Sequence, residues 1–300
     1  VNPGASQDSS RCCFFEPLDL SAIFCRENQV KPQLNFLQEF HMSFLIPSFN
    51  LAGKRGLILG LANEHSIAWG CTRLFHALGA RVVASCLNEK ARSYVEPLTQ
   101  SLEVKLLNCN VEEPEQMAAL VAQAVDHLGG LDFVIHSLAW APLSDLHAPV
   151  SASSREGYAR SMQVSCHSFA ELAHLCQPHM SEGGSMLAMT YLGASRAVPH
   201  YALMGQIKAA LEALVRYLSV ELGPQKIRVH AVSPGPILTR AASGLLEFDH
   251  LLEAAQSKSA LQRLVTQDEI AQLCAFLCMD AASGMTGQTI YVDAGEHVAA

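Results

Sequence analysis

Between Met189 and Ala210 the chain reads MTYLGASRAVPHYALMGQIKAA, and three of its residues can do chemistry: Tyr191, Tyr201 and Lys208. A phenol donates a hydrogen bond or a proton, and a nearby ammonium favours its ionised form. Lys208 follows Tyr201 by seven residues. Seven residues turn a helix by about 700°, so the two share a face and stand roughly 10 Å apart along the axis. Two readings are open on these residues alone. Either they are unconnected side chains on one helix face, or they are an acid and the cation that acts beside it. Lys208 sits among Ile207, Ala209, Ala210 and Leu211, an expensive place for an idle ammonium.

Such groups need a strand end and a helix to hold them, and the flanking pattern supplies both. The apolar runs GLILGL (56–61), RVVAS (81–85), VKLLNCN (104–110), FVIHSLA (133–139), SMLAMT (185–190), RVHAVS (228–233) and TIYVD (289–293) read as buried strands. Helices are expected over 66–79, 114–130, 158–176, 200–222 and 266–279, the second bracketed by Pro114 and the Gly129-Gly130 pair. This alternation predicts an α/β fold: a single Rossmann-like, doubly wound domain with a seven-stranded parallel sheet and helices on both faces. Residues 51–300 are assigned to that domain and 1–50 to an irregular N-terminal extension. The chain begins with Val, and Met42 stands just ahead of the regular part, so Met42 is one expected native start. Asp8, Glu16, Asp19, Glu27 and Glu39 break the apolar or acid-poor character of a targeting segment.

Composition narrows the function. Half of the 300 residues are hydrophobic and 16% are charged, enough for one sizeable core. A formal charge of −8 and a pI near 5.9 argue against a nucleic-acid or membrane-surface binder. No run approaches the roughly 18 apolar residues that span a bilayer. The ten cysteines include seven placed singly in apolar segments and are read as reduced core thiols of a cytoplasmic protein. Cys274 and Cys278 lie one helical turn apart, but no second pair or spaced His completes a site, so no metal is expected.

The ends of the strands suit a dinucleotide. After the first strand comes GLANEHSIAWG (60–70). Gly60 lets the chain turn off the strand, Ser66 caps the next helix, and the helix start at Ile67 offers N–H groups and partial positive charge to a pyrophosphate. The second strand ends in Leu87-Asn88-Glu89-Lys90, which meets neither the acid rule for NAD nor the arginine rule for NADP cleanly. Asn110-Val111 follows the third strand, where a side-chain amide can read an adenine edge. Ser137-Leu138-Ala139 follows the fourth and allows close approach to a ribose.

The residues from about Gly53 onward then carry a resemblance. SIAWG (66–70), HSLAWAP (136–142), MTYLGASRAVPHYALMGQIKAALEALVRYLSVELGP (189–224), IRVHAVSPGPILTRAASG (227–244) and VDAG (292–295) resemble the short-chain dehydrogenase type of bacterial enoyl-acyl-carrier-protein reductase. The most specific element is Tyr-x6-Lys with a second Tyr ten residues earlier. Ordinary short-chain dehydrogenases use Tyr-x3-Lys with an upstream Ser; this chain has no Tyr-x3-Lys, and Met204 stands where that tyrosine would be.

The resemblance implies hydride transfer from NADH, with NADPH not excluded, to the β-carbon of a trans-2-enoyl thioester on an acyl carrier protein, in fatty acid synthesis. Tyr201 would donate to the thioester oxygen. Lys208 would hold the nicotinamide ribose and bring the Tyr201 pKa below its free value. Tyr191 would join the catalytic group, shaping the pocket or hydrogen-bonding the thioester. Gly235, Ile237 and Thr239 resemble the loop over the nicotinamide, and Ala141, Met204, Ala241, Leu245 and Phe248 are expected to wall the acyl chain. Leu87 and Asn110 are placed at the adenosine, where they depart from the family's usual polar residue and Asp. Arg240 is expected to meet a phosphate of the cofactor or carrier. The family also implies a homotetramer. Two further readings stand beside this one: a related short-chain oxidoreductase acting on another enoyl or carbonyl substrate, and a non-catalytic dinucleotide-binding paralogue.

Overall fold

A computed structural model describes residues 49–239 and 244–299, all within the compact unit Pro47–Ala300. The expected extension, except for its last two residues, lies outside them, as do Arg240 and Ala241.

Seven strands form one sheet: β1 (Arg55–Leu61), β2 (Arg81–Cys86), β3 (Lys105–Asn108), β4 (Phe133–His136), β5 (Gly184–Met189), β6 (Ile227–Pro234) and β7 (Thr289–Val292). Their order is β3-β2-β1-β4-β5-β6-β7 and every neighbouring pair is parallel. Seven parallel strands in one doubly wound sheet is the arrangement expected from the sequence.

The helices of eight residues or more are α1 (Ile67–Ala77), α2 (Glu89–Gln100), α3 (Pro114–Leu128), α4 (Arg155–Met162), α5 (Ser168–Cys176), α6 (Ala202–Leu222), α7 (Phe248–Lys258) and α8 (Gln267–Cys278). Successive strand residues point to opposite faces. Leu57 and Leu59 therefore join α3, α5 and α6 in one apolar layer, while Ile58 joins α1, α2 and α8 in the other. Gly56 pairs with Phe133 across β1 and β4, and a Cβ there would fall 2.1 Å from the Phe133 ring. The missing side chain leaves room for the Phe133 ring, which meets Phe75 edge-on at 5.0 Å. Burying one such ring contributes about 1.5–3 kcal/mol.

Several elements differ from expectation, and no helix was expected over Phe248–Lys258, where α7 forms. The helix α2 was not expected: EKARSYVEPLTQ is polar, and Pro97 interrupts it. It forms because Asn88 caps Ala91 N at 3.0 Å and Ala91, Val95 and Thr99 make a buried stripe at four-residue spacing. The single helix expected over 158–176 is two helices joined by a π-helical segment, Gln163–His167. The strand expected over 133–139 stops at His136, because the chain leaves the sheet there to wall a cavity.

Candidate active site

A cavity of about 420 Å³ opens at the C-terminal ends of the strands, the edge where parallel sheets of this kind take ligands. Each wall comes from one strand end.

Gly60, Ser66 and Ile67 line the first wall. Gly60 has φ +105°, and a Cβ on it would lie 2.2 Å from the Ser137 carbonyl oxygen. Only glycine permits this turn at such close approach. The Ser66 hydroxyl donates to Asn63 O at 2.7 Å and accepts from Trp69 N at 3.4 Å. That caps α1 and leaves its first N–H groups at the cavity, where they favour an anion.

Ser137, Leu138 and Ala141 line the second wall, together with Trp140. The π-helical segment turns Ser165 inward, so that its hydroxyl donates to Trp140 O at 3.0 Å and accepts from Trp140 N at 2.8 Å. The Arg160 guanidinium lies 4.1 Å over the Trp140 ring and is held there by Glu112. Gly235, Ile237 and Thr239 follow β6 on the far wall, and Gly235 N donates to Val292 O at 3.0 Å.

Tyr191, Tyr201, Met204 and Lys208 meet at the centre. Tyr191 follows β5, and its ring meets that of Tyr201 edge-on, centroids 4.7 Å apart. Tyr201 immediately precedes α6 rather than lying inside it, yet Gly205 N donates to Tyr201 O at 3.2 Å, so the helical phase toward Lys208 is kept. His200 and Ala202 on either side have φ of +60° and +24°. Such backbone is costly for residues with side chains and is held here by the surrounding packing. Gly193 seats the Tyr201 ring: a Cβ there would lie 2.3 Å from Tyr201 Cδ1.

Lys208 is 3% exposed. Its ammonium donates to Met189 O at 2.7 Å and more weakly to Leu138 O at 3.4 Å. Burial lowers its pKa to about 8, against smaller raising effects of Cys166 and Glu212. The expected lowering of Tyr201 is overturned. Burial and then the charge of Glu212 raise the Tyr201 phenol, because the Lys208 head is turned to two carbonyls instead. Tyr191 is raised too, by burial first and Glu296 next. Below Lys208, burial and the ammonium charge push His136 down to about 3. Because Ser168 Oγ donates to Val164 O, His136 Nε2–H donates to Ser168 Oγ, at 2.8 Å, and the ring is neutral.

Leu245 and Phe248 line the mouth of the cavity, with Leu251 of α7 beside them. Three expected cofactor residues do not reach this cavity. Leu87 is 54% exposed beyond β2, Val111 is packed in the core, and the Asn110 side-chain Oδ1 accepts from Glu112 N at 3.2 Å in a local turn. Sequence reasoning passed over Thr190 and Glu212, whose side chains bond at 2.8 Å beside Lys208. The signal was an acid four residues after the lysine, one turn along the same face. Glu296 was passed over for a different reason, since it comes from beyond β7. Among the described residues no cluster of three metal-ligating side chains occurs, and the seven cysteines are buried and form no disulfide.

Known proteins are similar to this chain in sequence and architecture. The profile of the family described as enoyl-(acyl carrier protein) reductase matches residues 60–297. An NADH-dependent enoyl-[acyl-carrier-protein] reductase of Nostoc is 44% identical over 259 residues, 83% of this chain and 98% of that one. An NADPH-dependent counterpart from Staphylococcus aureus is 39% identical over 251 residues, again 83% and 98%. Among solved structures, the Anaplasma phagocytophilum reductase in complex with NAD is similar at 38% identity and a TM-score of 0.79, over 83% of this chain and 94% of that one. The Bacillus cereus enzyme with NADP+ and an indole naphthyridinone is similar at 36% identity and a TM-score of 0.81, over 83% and 98%.

Proposed function

This chain belongs to the enoyl-(acyl carrier protein) reductase family, and from that premise we infer how its own residues carry the reaction. The enzyme reduces enoyl-acyl-carrier-protein thioesters in fatty acid synthesis with a nicotinamide cofactor. The observation that carries the assignment of roles is the buried Lys208, fixed beside the edge-on pair of Tyr191 and Tyr201 in one cavity.

The residues fit a dinucleotide. The Gly60 cradle admits a group that any Cβ would block, the capped start of α1 suits a pyrophosphate, and Lys208 keeps one of its three ammonium protons for a ribose hydroxyl. Bound NADH supplies the hydride. Leu87 and Asn110, beyond the cavity on the β2–β3 side, are assigned to the adenosine. Glu89 and Arg92 of α2 pair at 3.6 Å beside that end, so an acid and an arginine both stand there.

As hydride reaches the β-carbon, negative charge develops on the thioester oxygen. Tyr201 meets that charge as a neutral hydrogen-bond donor; its raised pKa keeps the phenol protonated through the working range. Met204, Ala141, Leu245 and Phe248 exclude water from the acyl chain. Ala241 is assigned to the same wall but lies outside the described residues.

The substrate partner is the carrier-linked enoyl thioester. The assembly is assigned as a homotetramer, supported by Tyr217 and Val220, each 78% exposed on the outer face of α6. None of the described helices is long and apolar enough to cross a membrane, and a cytoplasmic location is assigned. Incubation with NADH and either crotonyl thioester or a ketone tests the reading. Butyryl thioester formed with stoichiometric loss of NADH supports it, whereas turnover of the ketone alone transfers the chain to carbonyl reduction. Binding of NADH with neither product would make it a non-catalytic paralogue.

A further inference from the structure

The loop that carries β1 into α1 has two sides. On one, Ala62 and Ser66 line the cavity. On the other, a side chain from the far end of the sequence holds the loop by its carbonyls. Gln267, the first residue of α8, donates from Nε2 to Ser66 O at 2.6 Å and to Glu64 O at 3.0 Å. Both partners are acceptors, so the amide nitrogen and not its oxygen must face them. Ser66 O also accepts from Trp69 N at 2.9 Å and Gly70 N at 3.2 Å. The carboxamide therefore grips the atom from which the first turn of α1 hangs.

The surroundings deliver Gln267 to that place. Thr266 and Glu269 close a capping box at the head of α8, and Arg263 holds Glu269 through two hydrogen bonds of 2.6 and 2.9 Å. Val265 and Ile270, on either side, are buried in the core. Gly70 makes the room: a Cβ there would lie 2.6 Å from Gln267 Cγ. A glycine inside a helix weakens it relative to alanine, and here the missing methyl admits the Gln267 stem. The side chain thus comes from a fixed turn, through a gap left for it, to the back of the loop.

We propose that Gln267 is a positioning residue for the dinucleotide: its carboxamide holds the Glu64 and Ser66 carbonyls from behind, so that the start of α1 keeps the shape that takes the pyrophosphate. This rests on the assignment of the Gly60–Ile67 turn to the cofactor. Gln267 is not among the residues that line the cavity, so it acts through the loop and not on the ligand. Its loss should weaken the cofactor in the ground state and the transition state alike, which raises the KM for NADH and spares kcat.

The test is Gln267→Met, which keeps the length of the side chain and removes the donor. We expect the dissociation constant and KM for NADH to rise about three- to tenfold, the loss of one or two neutral hydrogen bonds. With saturating NADH, kcat and the KM for crotonyl thioester should stay within about twofold of wild type. Asp268→Asn is the control, because it breaks the neighbouring ion pair of Asp268 with Arg73 of α1 and leaves the Gln267 bonds in place. It should leave NADH affinity unchanged. An unchanged affinity in Gln267→Met, a fall in kcat without a loss of affinity, or an equal loss in Asp268→Asn would overturn the proposal. A second measurement needs no variant. In wild type the two Gln267 side-chain N–H protons, one for each carbonyl, should exchange slowly with solvent and more slowly with NADH bound; free exchange in both states would overturn it too. Wild type that fails to bind NADH would strike the cofactor assignment itself, whereas wild type that binds beside an unaffected Gln267→Met strikes this proposal alone.

Discussion

Lys208 Nζ lies 2.7 Å from the carbonyl oxygen of Met189, and this contact joins the helix that follows Tyr201 to the strand end that leads into Tyr191. The cation is thus tied to the scaffold rather than to the acid it serves. The protein keeps a buried ammonium with two of its donors spent on backbone, leaving one direction for a ligand.

Removal of that cation should separate binding from stability. Lys208→Met is expected to weaken NADH about tenfold or more in a fluorescence titration, since a hydrogen bond from a charged group contributes about 1.5–3 kcal/mol. Because burial puts the folded pKa near 8, below the free lysine value, the folded chain holds fewer protons than the unfolded one between about 8 and 10.5. Wild-type stability therefore gains with pH across that window. The Tm of Lys208→Met minus that of wild type should shrink from pH 7 to pH 10; a constant difference would contradict the buried ammonium.

The cofactor cradle is tested at Gly60. An alanine there brings a Cβ to 2.2 Å from Ser137 O at φ +105°, and the clash is with backbone, which has no rotamer to yield. Gly60→Ala is expected to abolish NADH binding by calorimetry while far-UV circular dichroism stays that of the folded chain. Binding within threefold of wild type would show that the dinucleotide lies elsewhere.

The seat of the Tyr201 ring is tested at Gly193. A Cβ at that position would lie 2.3 Å from Tyr201 Cδ1, so Gly193→Ala must displace the phenol. A misplacement of about 1 Å at a reacting group can reduce the rate about 100-fold. We expect kcat to fall at least tenfold with NADH affinity retained, measured by steady-state kinetics beside a binding titration.

Glu296 has a consequence for stability. Its folded pKa of about 7 lies above the free value, so the folded state binds the extra proton and stability falls as pH rises between about 4.5 and 7. Glu296→Gln should match wild type near pH 5 and melt higher at pH 8. Partial exposure holds the gain to about 1 kcal/mol, or ~2–4 °C for a domain of this size. A variant that melts lower at pH 8 than at pH 5, relative to wild type, would contradict the raised carboxyl.

The strands were legible because parallel strands covered on both faces read as unbroken apolar runs, and Pro114 and Gly129 marked α3 by local chemistry. The helix α2 was not, because only Ala91, Val95 and Thr99 of its twelve residues are buried. The π-helical segment leaves no period of its own; its signature is the Ser165–Trp140 contact, which exists only after folding. Within the site, Tyr201 and Lys208 were readable from spacing along one helix. The packing of the C-terminal segment on the turn after Tyr191, seen in the Arg196–Ala299 hydrogen bond, was not, since it joins positions more than a hundred residues apart. The electrostatic sign at Tyr201 was misjudged because sequence shows that Lys208 is near, but not that Met189 O and Leu138 O claim its head.

The central claim is that Tyr201 is the neutral donor to the developing oxyanion, and Tyr201→Phe tests it most directly. With crotonyl thioester and NADH, kcat should fall about 100- to 1000-fold, the loss typical of one oxyanion donor, while the dissociation constant for NADH stays within about twofold. A Tyr201→Phe enzyme that keeps wild-type kcat would contradict the account.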